Sequence, residues 1–294
     1  MANLLKMNGH PNGHQHEVEE SDLFKIEVTS DDPIEFFREW YQMAEDAGVI
    51  LPQSLNLATS DGCGRVSART LLMRRLVDDG FIIMTDKRSK KSFDIAKCPR
   101  VALTFLWMYP RQPKGIYAQQ VRVEGLISEI PFDEHMDLYT TEPLYCKIRS
   151  NICRQGEIVE WSEHKEKHDR IYKECVEHGP PDFLNYPPEH YVMYKVKPEM
   201  MDFYMATDFT IGDRVVFRLS DQPNLIPATA LKKSSIIEEN NGHFKGEKNG
   251  LKDNNNGIDE MEKTFQNGLK IATGAGQKLA DNVPKEWVHY RVSA

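Results

Sequence analysis

Short runs rich in Val, Ile, Leu, Tyr and Phe, bounded by Asp-Gly, Gly or Pro, fill the middle of the chain. They predict strands over 54–59, 66–76, 81–85, 101–108, 117–130, 191–204, 214–219 and 287–292. Asp61-Gly62 and Asp78-Asp79-Gly80 lie between consecutive runs, where hairpin turns belong. Many strands joined by short turns favour an antiparallel barrel over a doubly wound parallel sheet. A helix precedes them: Asp32-Pro33-Ile34-Glu35 combines a capping Asp, a Pro at the first helical position and a Glu three residues after the cap. Phe36, Phe37, Trp40, Met43, Ala44 and Ala47 then recur at helical spacing, so one apolar face packs on the core. Three further helices are expected, over 89–97, 132–141 and 157–178.

Composition changes this picture at two places. Residues 1–30 carry a His, Asn, Gly and Glu-rich run, and residues 220–282 are rich in Asn, Gly, Lys and Glu. Neither has enough apolar residues to offset the entropy of ordering, so both read as a tail and a low-complexity insertion. Of the 294 residues, about 200 are left for one barrel domain over 31–219, completed by a C-terminal strand in 283–294. An insertion at a hairpin tip is tolerated because loop-closure entropy rises slowly with length.

The formal net charge of −8 argues against a general nucleic-acid binder but leaves small anionic ligands open. The 5 cysteines lack a CxxC pair, so neither a disulfide framework nor a zinc site is indicated. There is no apolar run of membrane-spanning length and no signal peptide, and a cytoplasmic protein is expected. His164 and His168 have chelating i, i+4 spacing, but their charged surroundings read as a solvated helix face, and no metal is expected.

The chemistry concentrates in Arg69-Thr70-Leu71-Leu72-Met73-Arg74 and Met84-Thr85-Asp86-Lys87-Arg88-Ser89-Lys90-Lys91. Cationic groups there surround a strand, a turn and a helix start, an arrangement suited to a bound phosphate. On one ideal strand Arg69 and Arg74 face opposite ways, so both reach one ligand only if a bulge or strand end re-aims one of them. Thr85 offers a hydroxyl, and Gln119-Gln120 can hydrogen-bond a polar heterocycle. GxGxxG after a strand, GxxxxGK[ST] and GxSxG are all missing, and no nucleophile is evident. An enzyme of this kind relies on a cofactor.

The order of Arg69 to Arg74, Met84-Thr85, Ser89-Lys90-Lys91, Cys98-Pro99-Arg100, Gln120-Val121-Arg122-Val123-Glu124-Gly125, Gln155, Met201-Asp202-Phe203-Tyr204 and Asp213-Arg214 resembles the pyridoxine/pyridoxamine 5′-phosphate oxidases. These are FMN enzymes of the split-barrel fold. The resemblance runs from Asp32 to Leu219 and resumes at Trp287.

It implies a homodimer with two FMN molecules at the subunit interface. Arg69, Thr85, Ser89, Lys90 and Lys91 would hold the FMN phosphate, with Met84 in the same motif. The backbone of Thr70, Leu71 and Leu72 would lie along the flavin, and Gln120, Gln155, Tyr204 and Arg214 would contact its ring or ribityl chain. The implied reaction moves a hydride from C4′ of pyridoxine or pyridoxamine 5′-phosphate to flavin N5, with O2 as the final acceptor, giving pyridoxal 5′-phosphate.

The chain departs from the family where the substrate phosphate is held. In place of a Lys, a Tyr, an Arg and a Ser stand Arg74, Leu138, Glu142 and Cys146, with Tyr139 one residue from the missing Tyr. Arg74, Tyr139 and Cys146 are therefore the expected substrate contacts, and a carboxylate at Glu142 repels a phosphate. The family's Arg-Leu-His run is Thr210-Ile211-Gly212, and its flavin Trp is Tyr204. Two alternatives follow: a non-catalytic relative binding FMN or a B6 phosphate, and a flavin reductase with another substrate.

Overall fold

The computed structural model describes residues 21–111, 115–220 and 286–293. Helix α1 (Pro33–Asp46) starts as its sequence predicts, with the Asp32 carboxylate accepting from the Ile34 N–H at 2.8 Å. Its buried side chains, Phe36, Phe37, Trp40 and Ala44, plug the concave face of a curled antiparallel sheet. Phe37 meets Phe105 and Phe81 at ring separations of 4.9 and 5.0 Å, and Phe36 meets Phe203 at 4.7 Å. Tilted and edge-on contacts of this kind contribute beyond the area they bury.

The sheet is built from β2 (Ser54–Ser60), β3 (Val66–Leu72), β4 (Arg75–Val77), β5 (Gly80–Asp86), β6 (Arg100–Pro110), β7 (Ile116–Ile130), β8 (Tyr191–Thr207), β10 (Asp213–Leu219) and β11 (Trp287–Arg291). Its pairings are antiparallel and run in the order β11-β10-β8-β7-β6-β2-β3. Strand β8 splits the barrel. It pairs with β7 along most of its length, while β5 pairs with its first part, Tyr191–Val196, and β10 with Met200–Met205. The division falls at Pro198, which has no N–H to donate, and the β7 register shifts there between Glu124 and Gly125.

Strand β5 is buried along both faces. Phe81 and Ile83 join the barrel core, whereas Ile82 and Met84 pack outward on Tyr139, Tyr191 and Met193. That outer layer carries α3 (Met136–Thr140), α4 (Leu144–Ile152) and α5 (Trp161–His178), with α2 (Lys90–Lys97) following β5 directly. Among the described residues no helix is long and apolar enough to cross a membrane.

Several expectations need correction. The run 66–76 is two strands: the Met73 N–H still bonds to the Gln53 carbonyl in line with the β2 pairing, and the Arg74 N–H then crosses to the Ile82 carbonyl of β5. The helix expected over 132–141 begins at Met136, the one over 157–178 begins at Trp161, and α4 was not foreseen. Within the expected N-terminal tail, β1 (Asp22–Leu23) pairs in parallel with β9 (Thr210–Ile211), and Ile26 is buried in the core. The alternation of Phe24, Ile26 and Val28 accounts for that attachment. Residues 1–20 and the insertion from 221 onward lie outside the described residues.

Candidate functional site

The break between β3 and β4 opens a cleft of about 440 Å³. Thr70, Leu71 and Leu72 line it from the end of β3, Arg74 from the break, and Met84, Thr85 and Asp86 from the end of β5. Arg149 and Ser150 close it from the last turn of α4, with Cys153, Gln155 and Tyr191. Seven expected site residues thus share one cavity: Thr70, Leu71, Leu72, Arg74, Met84, Thr85 and Gln155.

Lys91 and Ser89 do not line the cleft themselves; Lys91, only 5% exposed, is joined to it through two residues that do, Thr85 and Gln155. Its ammonium donates to Thr85 Oγ1 at 3.0 Å and Ser89 Oγ at 3.1 Å, and also to Gln155 Oε1. All three partners are neutral. Burial, with Arg69 close by, pulls the Lys91 ammonium down to about 8. Ser89 precedes α2 without capping it, so the first amides of that helix are left for another acceptor.

Arg69 and Lys90 are engaged beside the cleft. Arg69 donates to Thr59 Oγ1 at 2.8 Å and the Leu57 carbonyl at 3.1 Å; Thr59 in turn donates to Asp94, which also binds Lys90 at 2.8 Å. Burial lowers Arg69, although Asp94 opposes the shift. Across the cavity Arg88 pairs with Asp86 at 2.7 Å and reaches the Cys153 carbonyl at 2.9 Å, tying β5 to the segment after α4. Against the opposing effect of burial, these hydrogen bonds hold the Asp86 carboxyl below its ordinary range.

Gln120, Tyr204 and Arg214 do not line the cleft. They stand side by side across β7, β8 and β10, in register with one another. The Arg214 guanidinium lies 5.6 Å from the Tyr204 ring centroid and 3.3 Å from buried Asp202, which Arg122 also contacts at 3.0 Å. Burial raises Asp202 in spite of both arginines. Tyr204 covers Gly212 so closely that a Cβ there would lie 2.6 Å from a ring carbon.

Two expected substrate contacts lie elsewhere. Tyr139 is fully buried against Phe132 and Tyr191, and Cys146 is buried on α4. Neither lines the cleft: α3 turns Tyr139 into the outer core, and Cys146 is buried on α4 beside Glu142. Arg149, Ser150, Cys153 and Tyr191 were not anticipated; the residues after Pro143 held a faint signal, since Leu144, Ile148 and Ile152 recur at helical spacing. His164 meets Cys153 Sγ at 3.4 Å, whereas His168 pairs with Asp169 and stacks on Tyr172.

The Lys91 pocket fits a phosphate-bearing group: a buried cation, two hydroxyls and uncapped helix amides form an anion-binding set. A family model described as pyridoxamine 5′-phosphate oxidase matches residues 45–170. The pyridoxine/pyridoxamine 5′-phosphate oxidase of Salinibacter ruber is 32% identical over 207 residues, covering 70% of this chain and 91% of that protein. The probable pyridoxamine 5′-phosphate oxidase of Schizosaccharomyces pombe is 31% identical over 208 residues, covering 69% and 86%. Among solved structures, PhzG from Burkholderia lata 383 in complex with tetrahydrophenazine-1-carboxylic acid aligns with a TM-score of 0.57 at 22% identity, over 68% of this chain and 94% of that one. This last likeness supports the fold. With its sheet topology, its cleft and these relatives in agreement, the chain belongs to the pyridoxine/pyridoxamine 5′-phosphate oxidase family of FMN-binding split barrels.

Proposed function

We propose that the chain is an FMN-dependent oxidase that converts the C4′ amine or alcohol of a vitamin B6 compound, pyridoxamine or pyridoxine 5′-phosphate in the family's own reaction, to the aldehyde. The observation that carries this reading is the buried Lys91 ammonium held only by neutral oxygens. The Asp86 carboxylate favours that cation from nearby but is engaged by Arg88; a buried cation with no carboxylate in direct contact is costly, and the phosphate of FMN supplies the counter-charge. Lys91, Thr85 and Ser89 would hold that phosphate, Gln155 would meet the cofactor from the loop after α4, and the backbone of Thr70 to Leu72 would line the flavin. Arg69 and Lys90 would act from outside through Thr59 and Asp94.

Bound FMN supplies the hydride acceptor, and O2 takes the electrons onward as hydrogen peroxide. The chain's part in this reaction is to bind and orient. Gln120, Tyr204 and Arg214 lie off this cleft, which supports a homodimer in which they approach the flavin of the partner subunit, with Arg214 favouring negative charge on the ring.

The test is aerobic incubation of the FMN-loaded protein with pyridoxamine 5′-phosphate, following pyridoxal 5′-phosphate and peroxide. Equimolar formation of both supports the oxidase. A flavin-loaded protein that forms neither refutes that reaction, and consumption of reduced nicotinamide would move the reading to a reductase.

A further inference from the structure

Arg74 is the cation that reaches the cleft from the β3–β4 break, and its charge is already compensated. Its Nη2 lies 2.7 Å from Oε1 of Glu142, whose side chain is only 2% exposed. Neither Glu142 carboxyl oxygen has a well-formed hydrogen bond among the described residues, so Arg74 is the principal compensation for a buried negative charge. Turning the guanidinium toward a ligand would strand that charge, which is far costlier than leaving the pair intact. Two neighbours that feel the Glu142 charge, Cys146 and Tyr191, add no positive charge. Burial, reinforced by Glu142, pushes both the Cys146 thiol and the Tyr191 hydroxyl up, so both stay neutral. The other cleft cation, Arg149, is exposed and forms no ion pair among the described residues, and solvent screens what it can offer an anion.

We propose that Glu142 is a specificity-determining residue: by engaging Arg74 it removes the cleft's preference for a phosphate ester, so unphosphorylated pyridoxamine binds about as well as its 5′-phosphate. The proposal rests on the B6 reading of the substrate. At the Lys91 end the anion site is open, while at the Arg74 end attraction from the arginine and repulsion from the carboxylate nearly cancel for a dianion.

The experiment is isothermal titration calorimetry of FMN-loaded wild type and Glu142→Gln with pyridoxamine, pyridoxamine 5′-phosphate and inorganic phosphate. In the wild type the two vitamers should bind within about threefold of each other, and Glu142→Gln should tighten the ester by about tenfold or more while leaving pyridoxamine unchanged. A wild type that prefers the ester by about a hundredfold, or a ratio unmoved by the substitution, overturns the proposal. If neither vitamer binds either protein, the substrate reading fails, and inorganic phosphate then decides the role of Glu142. Tighter phosphate binding in the variant upholds that role, and equal binding overturns it. Glu142→Met, which keeps the volume without the charge, gives the same comparison if the glutamine variant does not fold.

Discussion

The ring of Tyr204 lies directly on Gly212, where a Cβ would come within 2.6 Å of a ring carbon and 2.7 Å of the hydroxyl oxygen. The glycine is needed here for space. A side chain at 212 would push the aromatic ring away from Arg214, whose guanidinium stands 5.6 Å from its centroid. Gly212→Ala should therefore cost about 1–3 kcal/mol by overpacking. In a double-mutant cycle with Tyr204→Ala, which frees the space, most of that cost should vanish. Additive losses in thermal unfolding would show that the two residues do not share it.

How far the sequence reveals such a relationship depends on its range. The strands and their turns are legible because alternation and Asp-Gly signals are local, and Asp32-Pro33 marks the start of α1 within a residue. The break after Met73 has no Gly or Pro to announce it; it exists because a tertiary partner, the Ile82 carbonyl of β5, takes the Arg74 amide. The attachment of Phe24 and Ile26 is masked by a polar neighbourhood. Glu142 stands out in the sequence only as a departure, and its pairing with Arg74 depends on α3 and α4 folding back over β5.

Gly125 stands opposite the point where β8 divides. A Cβ there would lie 2.1 Å from the Lys197 carbonyl oxygen and 3.0 Å from Pro198 Cα, both rigid backbone atoms. Gly125→Ala should lower the unfolding free energy by several kcal/mol, on the order of the largest single-residue effects, because the ladder has to open to admit it. Chemical denaturation checks this; a loss under about 0.5 kcal/mol would show that the strands separate easily at the bulge.

FMN affinity should depend on pH through Lys91. Burial depresses its ammonium to about 8 in the ligand-free protein, so below that pH the cation is already formed. Above it, binding a phosphate must also take up a proton, and a bound dianion raises the Lys91 value again. Affinity should thus be nearly flat from about pH 7, where the FMN phosphate is largely a dianion, to 8. It should then fall toward tenfold per pH unit above 8. Titrations in Lys91→Arg, which keeps its charge throughout this range, should lose that slope.

The most direct measurement is a fluorescence titration of FMN into flavin-stripped wild type and Lys91→Met. Saturable quenching at one FMN per chain is expected in the wild type. The variant should be weakened by about ten- to a hundredfold or more, the loss of a charged hydrogen-bonding group, while its thermal unfolding shows that it still folds. Equal affinities in the two proteins would contradict the assignment of the Lys91 pocket as the phosphate end of the flavin site.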